Sequence, residues 1–333
     1  MSTDRSPLRR RRLDRRVLIA TSVTALSLTL SLTASGCVVV HGERELVPAA
    51  TQAEAAKALK EFTTAYNAAD KAYDSSLDAD HVTGALGDID EARLTAGHAN
   101  SPEGNTAHSP LEFTDAEFTI PKKAGWPRWF VANAQGNRGG DSRWLMVFTR
   151  EGLAEPWEAA YLTLVGPDDL PEFKKDKDGW AEAVDAESLE LAVPPADLSK
   201  DYTDYLRDGG DTFADGSHTS GWREKRTKNA KKPGLVTQYI DEPLTEGDYA
   251  PVALRTADGG ALVFFTTHHF QKQTAAAGTS VPTPNDSVLA LTKGEIKQSL
   301  TMEFVSNEVA LDPVEGQVSI LGRIEGLTGA KGE

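Results

Sequence analysis

The chain has 333 residues, a formal net charge of −15, 39% hydrophobic residues, six tryptophans and one cysteine. A surface this acidic repels polyanions, which argues against nucleic acid as a partner and against a membrane surface held by basic residues. With one cysteine there is no internal disulfide, so any folded core must hold together by packing.

The first 36 residues carry the three zones of an export signal. Seven arginines (Arg5, Arg9–Arg12, Arg15, Arg16) stand against Asp4 and Asp14, and an apolar run diluted by Ser and Thr follows from Val17 to Ala34. Ala34-Ser35-Gly36 then leads into Cys37. Small side chains let a peptidase bring the backbone close to its catalytic groups. Ala34-Ser35-Gly36-Cys37 resembles the lipobox of bacterial lipoproteins, although Ala34 stands where that family prefers Leu. The resemblance implies a diacylglyceryl group on the Cys37 thiol, cleavage just before it, and a chain held to the cell membrane on its extracytoplasmic face. A lone cysteine at the end of the signal fits an acceptor better than a structural thiol. The alternative is an uncleaved transmembrane anchor, for which the run is at the short end of the roughly 17–25 residues required. Arg15-Arg16-Val17-Leu18-Ile19 also resembles a twin-arginine export signal, which leaves the route open between that and the general one. Loss of residues 1–36 removes seven arginines and two aspartates, taking the net charge from −15 to −20.

Residues 37–50 read as a tether. From Thr51 the period becomes helical: Ala55, Leu59, Phe62, Tyr66, Ala69 and Tyr73 form one stripe, and Thr51 with Glu54 forms a capping box. A second helix is expected over 84–97 and a loop over 100–110. Strands follow at 111–120, 129–134, 144–149 and 157–165, separated by Gly- and Pro-bearing turns, including one over 121–127. Residues 166–195, acidic and punctuated by Pro167, Pro171, Pro194 and Pro195, read as a linker. The order then repeats, with a helix over 196–213, a basic loop over 222–232, and strands at 235–240, 249–256, 261–274, 299–311 and 317–324. Asp258-Gly259-Gly260 marks a hairpin turn. The last residues read as a fraying tail.

Helices followed by antiparallel strands, twice over, predict an α+β class with two similar domains, 51–165 and 196–327, each with N-terminal helices packed on a curved antiparallel sheet. In element order this resembles the nuclear transport factor 2-like fold. Ala65-Tyr66-Asn67-Ala68-Ala69-Asp70 and Pro121-Lys122-Lys123-Ala124-Gly125-Trp126-Pro127 resemble segments of uncharacterised actinobacterial lipoproteins, a likeness that implies no activity.

The chemistry-bearing motifs are few. Asp176-x-Asp178-Gly179 has the outline of a calcium loop, with Lys174 at the first ligand position and Asp185 at the twelfth; a cation at the first position opposes calcium, so it reads as a solvated turn. His268 and His269 are adjacent in a strand and face opposite sides. His41, His81, His98, His108 and His218 lack the spacing of a zinc site. There is no Gly-x-Ser-x-Gly, Ser-x-x-Lys, His-Glu-x-x-His or phosphate-cradling glycine loop. Trp126, Trp129, Trp144 and Trp157 fall in the first sheet, as core or as walls of an aromatic pocket. The basic stretch Arg223–Lys232 is an exposed loop or a contact for an anionic polymer. The expectation is a non-catalytic envelope lipoprotein that binds a ligand or partner, without a cofactor, anchored to the membrane through Cys37. The alternatives are an envelope hydrolase with its site in one concave face and, last, the binding component of an importer.

Overall fold

The computed structural model describes residues 45–333. The expected export signal, Cys37 and most of the expected tether lie outside the described residues. The first described element, β1 (Val47–Pro48), closes the tether, and Ala49 and Ala50 beside it are buried.

Helix α1 (Gln52–Ala72) begins at the expected capping box: Thr51 accepts from the Glu54 amide while the Glu54 carboxylate accepts from the Thr51 amide. Its stripe is the expected one, with Ala55, Leu59, Phe62 and Ala69 buried and Tyr66 half-buried. Tyr73 ends the helix in a left-handed conformation. Helix α2 (Gly84–Asn100) follows.

The strands form two sheets. The smaller has the order β2-β4-β5-β6, from β2 (Phe113–Thr119), β4 (Arg128–Gly136), β5 (Arg143–Arg150) and β6 (Glu158–Val165), all antiparallel. The larger has ten strands. Its path is β1-β3-β7-β10-β11-β13-β14-β12, with β9 pairing β11 and β8 pairing β9. These are β3 (Pro121–Lys123), β7 (Ala181–Val184), β8 (Lys231–Lys232), β9 (Leu235–Leu244), β10 (Val252–Arg255), β11 (Ala261–Ala275), β12 (Thr292–Lys293), β13 (Ser299–Asp312) and β14 (Ser319–Gly332). The pairings of β3 with β7 and of β12 with β14 are parallel; the rest are antiparallel.

Side chains alternate across a strand, so each sheet has two faces to cover. One face of the small sheet (Phe130, Ala132, Met146, Phe148, Ala159) packs on α1. Its other face (Trp129, Val131, Leu145, Val147, Tyr161) packs on Leu254, Leu262, Phe264 and Val309 of the large sheet. The opposite face of the large sheet is covered by α3 (Leu198–Asp208) and α4 (Ser220–Asn229), through Leu198, Tyr202, Tyr205, Leu206 and Trp222. Its far end is closed by α5 (Asp286–Leu291) around Val288, Leu300, Met302 and Ala330. Helix α2 lies against β14, where a Cβ on Gly326 would fall 2.4 Å from the Ile89 side chain; only glycine permits that approach.

The class is therefore mixed α and β, built on open sheets. The repeat of two similar domains is not established. Segments expected to be a turn (121–127) and a linker (166–195) supply β3 and β7 to the large sheet. The expected basic loop is helix α4 and strand β8 instead. The expected fraying tail is the end of β14, paired with β13 up to Gly332. No described helix is long and apolar enough to cross a membrane.

Candidate functional site

Where the small sheet meets β7 and β10, a groove of about 520 Å³ remains open. Trp129, Thr149 and Tyr161 come from the small sheet, because they share the face turned toward the large one. Ala183 and Val184 of β7 and Val252 and Ala253 of β10 form the other wall. The Tyr161 hydroxyl donates to the Ala250 carbonyl at 2.9 Å, which fixes the ring against the loop before β10. Charge is confined to Lys122, Lys123, Glu151, Asp185 and Asp248. Leu46, two-thirds exposed, lines the groove where the chain enters from its N-terminal side. Such an arrangement can hold an apolar body with a polar end, and its volume is within the usual range for small-molecule sites.

A second recess, about 390 Å³, is bordered by Ser75, Ser76, Asp78, Thr83, Asp88, Glu91, Asp248 and Tyr249. Asp78 is buried, and burial, reinforced by the nearby Asp90 carboxylate, pushes its carboxyl up to about 8. Asp90 accepts from Arg93 at 2.7 and 3.1 Å, and Arg93 reaches on to Asp70. Asp70 in turn contacts His108 Nδ1 at 2.7 Å and accepts from Asn105 at 3.2 Å. Burial works against the Asp70 charge, yet the His108 and Arg93 hydrogen bonds prevail and hold its carboxyl below the usual range. This knot ties α1 and α2 to the 100–110 loop.

Another buried polar network lies under α3 and α4. Arg323 donates to Glu325 at 2.6 Å, to Ser306 at 2.9 Å and to Glu308 at 3.3 Å, and Thr267 donates to Glu308 at 2.8 Å. Arg226 forms a two-pronged pair with Asp241 at 2.7 and 2.8 Å. Burial pushes Glu308 up to about 7 despite Arg323, whose closer contact is with Glu325. His269, stacked on Phe304 at 4.8 Å, is held far below its ordinary value by burial and then by Arg323 and Arg226.

The residues singled out from sequence do not converge. Cys37 and His41 lie outside the described residues. His268 stacks beside Phe270 while His269 is buried on the other face of β11. Asp176 closes its turn by accepting from the Asp178 and Trp180 amides, and pairs with Lys122. Trp129 is core and a groove wall, and Trp144 packs on Phe113 and Gly136. Trp126 and Trp157 stack with arginines. Of the basic stretch, Arg226 is buried. Among the described residues no three His, Cys, Asp or Glu side chains are grouped to hold a metal. The groove itself had no sequence signal, since part of its wall comes from β7, a four-residue strand inside an apparent linker. Asp78 and Asp90 likewise follow no motif spacing.

Comparison with known proteins places the chain in a family. Residues 46–332 match a family model described as a domain of unknown function, DUF8094. An uncharacterized lipoprotein of Streptomyces coelicolor is 73% identical over 333 residues, the full length of both chains. An uncharacterized lipoprotein of Streptomyces avermitilis is 57% identical over 337 residues, again the full length of both. A further S. coelicolor lipoprotein is 28% identical over 233 residues, 66% of this chain and 63% of that one. No solved structure gives a significant match. The chain thus belongs to the DUF8094 family and, with its Streptomyces relatives, to the bacterial lipoproteins.

Proposed function

We propose that this lipoprotein is a non-catalytic binding protein of the cell envelope, acylated on Cys37, displayed on the extracytoplasmic face, and holding an amphiphilic ligand in the groove between its two sheets. The observation that carries the reading is the wall of that groove: Trp129, Tyr161, Val184, Val252 and Ala253 form a continuous apolar surface, with ionic groups gathered around it. Its position adds support. Leu46 is nine residues from Cys37, so the groove mouth is at most ~30 Å of extended chain from the lipid anchor.

The test is equilibrium binding of a fluorescent amphiphile, anilinonaphthalene sulfonate, to the full-length protein in mild detergent. Ala183→Trp fills the groove from its half-buried wall. The expected result is one saturable site, weakened at least tenfold by Ala183→Trp at unchanged melting temperature. Equal binding by the two proteins would reject the groove as the site.

One observation favours a hydrolase instead, namely the buried Asp78, its carboxyl pushed up to about 8, beside Asp90 at the border of an acidic recess. A carboxyl with a raised pKa is suited to general-acid work at neutral pH. Turnover of an envelope glycan or ester, abolished by Asp78→Asn and untouched by Ala183→Trp, would establish that reading over binding.

A further inference from the structure

Arg128 opens β4, Arg150 closes β5, and the two are direct cross-strand partners. Like charges placed opposite one another destabilise a sheet. The guanidiniums are nevertheless held in place by aromatic rings. Arg128 lies 4.6 Å and Arg150 5.3 Å from the ring centre of Trp126, and Arg150 lies 5.0 Å from that of Trp157. Among the described residues neither arginine has a carboxylate partner or a hydrogen-bond acceptor. Both Nε donors are buried and unsatisfied, as is the indole N–H of Trp157, itself more than nine-tenths buried. Buried donors left without acceptors are rare in folded proteins.

Shortage of carboxylates is not the cause. Arg93, Arg143, Arg207, Arg226, Arg255 and Arg323 all find one. One carboxylate in electrostatic range of Arg128 and Arg150 is that of Glu54, whose Oε2 is already taken by the Thr51 amide and hydroxyl, each at 2.8 Å. Two fixed positive charges, several unsatisfied donors and two indole walls therefore meet at one end of the small sheet, on the face opposite the groove.

We infer that Arg128 and Arg150, walled by Trp126 and Trp157, form a binding site for a phosphate monoester. A doubly charged phosphate matches two guanidiniums in charge and offers three oxygens to share between both, whereas a single carboxylate brings one charge and two oxygens. The indole faces suit whatever body carries the phosphate. Two sources are within reach, a soluble phosphate and a phospholipid headgroup. Lys123, three residues before Trp126, pairs with Val47, which is ten residues from Cys37 and so at most ~35 Å of extended chain from the lipid anchor. This site is independent of the groove and of the reading built on it.

The test is calorimetric titration of the full-length protein in mild detergent with inorganic phosphate and with dihexanoyl phosphatidate, taking dihexanoyl phosphatidylcholine as the control lipid. Arg128→Gln and Arg150→Gln are the site variants, with Arg138→Gln as a control elsewhere. The expected result is one phosphate per chain, an affinity that falls as salt rises, and at least tenfold weakening in each site variant but not in the control. Without ligand, each site variant melts at or above the wild-type temperature, because the like-charge pair is gone, and phosphate raises the melting temperature of the wild type only. Binding of phosphatidate together with inorganic phosphate identifies the phosphate group itself as the ligand; binding of phosphatidate alone identifies the headgroup. The inference is overturned if neither phosphate ligand binds, if phosphatidylcholine binds as well as phosphatidate, or if both site variants bind like wild type. Site variants that melt lower in the absence of phosphate mark the arginines as purely structural and overturn it as well.

Discussion

Arg323 shows how a buried charge acts in this molecule. It is almost wholly enclosed, and Glu308 beside it is fully enclosed, so removal of Arg323 leaves Glu308 without its main compensation, whereas Arg323 without Glu308 still has Glu325. Breaking such a pair from one side costs about 3–5 kcal/mol. Arg323→Met should therefore lower unfolding free energy by about that amount, whereas Glu308→Gln, which keeps the hydrogen bond from Thr267, should cost well under half of it; chemical denaturation compares the two. The acidic residues also set a pH dependence. Asp78 is pushed up to about 8, and Glu158, Glu308 and Asp312 to about 7, burial being the first cause in each. The folded chain keeps protons on these groups that the unfolded chain releases above pH ~4. Their stabilisation is full at low pH and is lost as pH rises through 7 to 8. His269 and His218 have the opposite sign, because their lowered pKa values, set first by burial, remove stability as pH falls below the unfolded value of about 6.5. Four carboxyls outweigh two imidazoles between pH 8 and 5.5, so the melting temperature should rise over that descent. A flat or falling profile by calorimetry would contradict these assignments.

At the scale of elements, legibility followed periodicity. The stripe and capping box of α1 were read from sequence to within a residue or two, as were the long strands β11 and β13, because each carries a complete pattern on one segment. What escaped were elements whose pattern is too short or too polar to register. Strands β3 and β7 have three and four residues and exist because their neighbours supply the hydrogen bonds. Helix α4 has no apolar stripe and docks through Trp222 and through Arg226, which is stacked between Trp222 and Tyr239 and paired with Asp241. The C-terminal Gly-Leu-Thr-Gly-Ala-Lys-Gly reads as loose from its glycines, yet the small residues are what β14 needs beside Ile89, Glu303 and the 295–296 backbone. Deletion of residues 327–333 should therefore remove part of the β13 pairing, uncover Leu300 and Met302 and leave a chain that unfolds at far lower denaturant. A truncated chain as stable as the full one would show that the end of β14 adds nothing.

On the scale of the whole molecule, the sequence made the lipoprotein character legible and left the groove hidden. A single cysteine behind a small-residue site is local information, and the family of Streptomyces lipoproteins agrees with it. The groove joins residues 46, 129, 161, 184 and 253, which only the stacking of the two sheets brings together. Native mass spectrometry of the protein released intact from the membrane tests the account most directly, since it reads the anchor and the bound ligand at once. The account predicts a chain that begins at an acylated Cys37 and carries one discrete additional mass, which disappears in Ala183→Trp. A chain beginning at Met1, or a wild-type protein with no such mass, would contradict it.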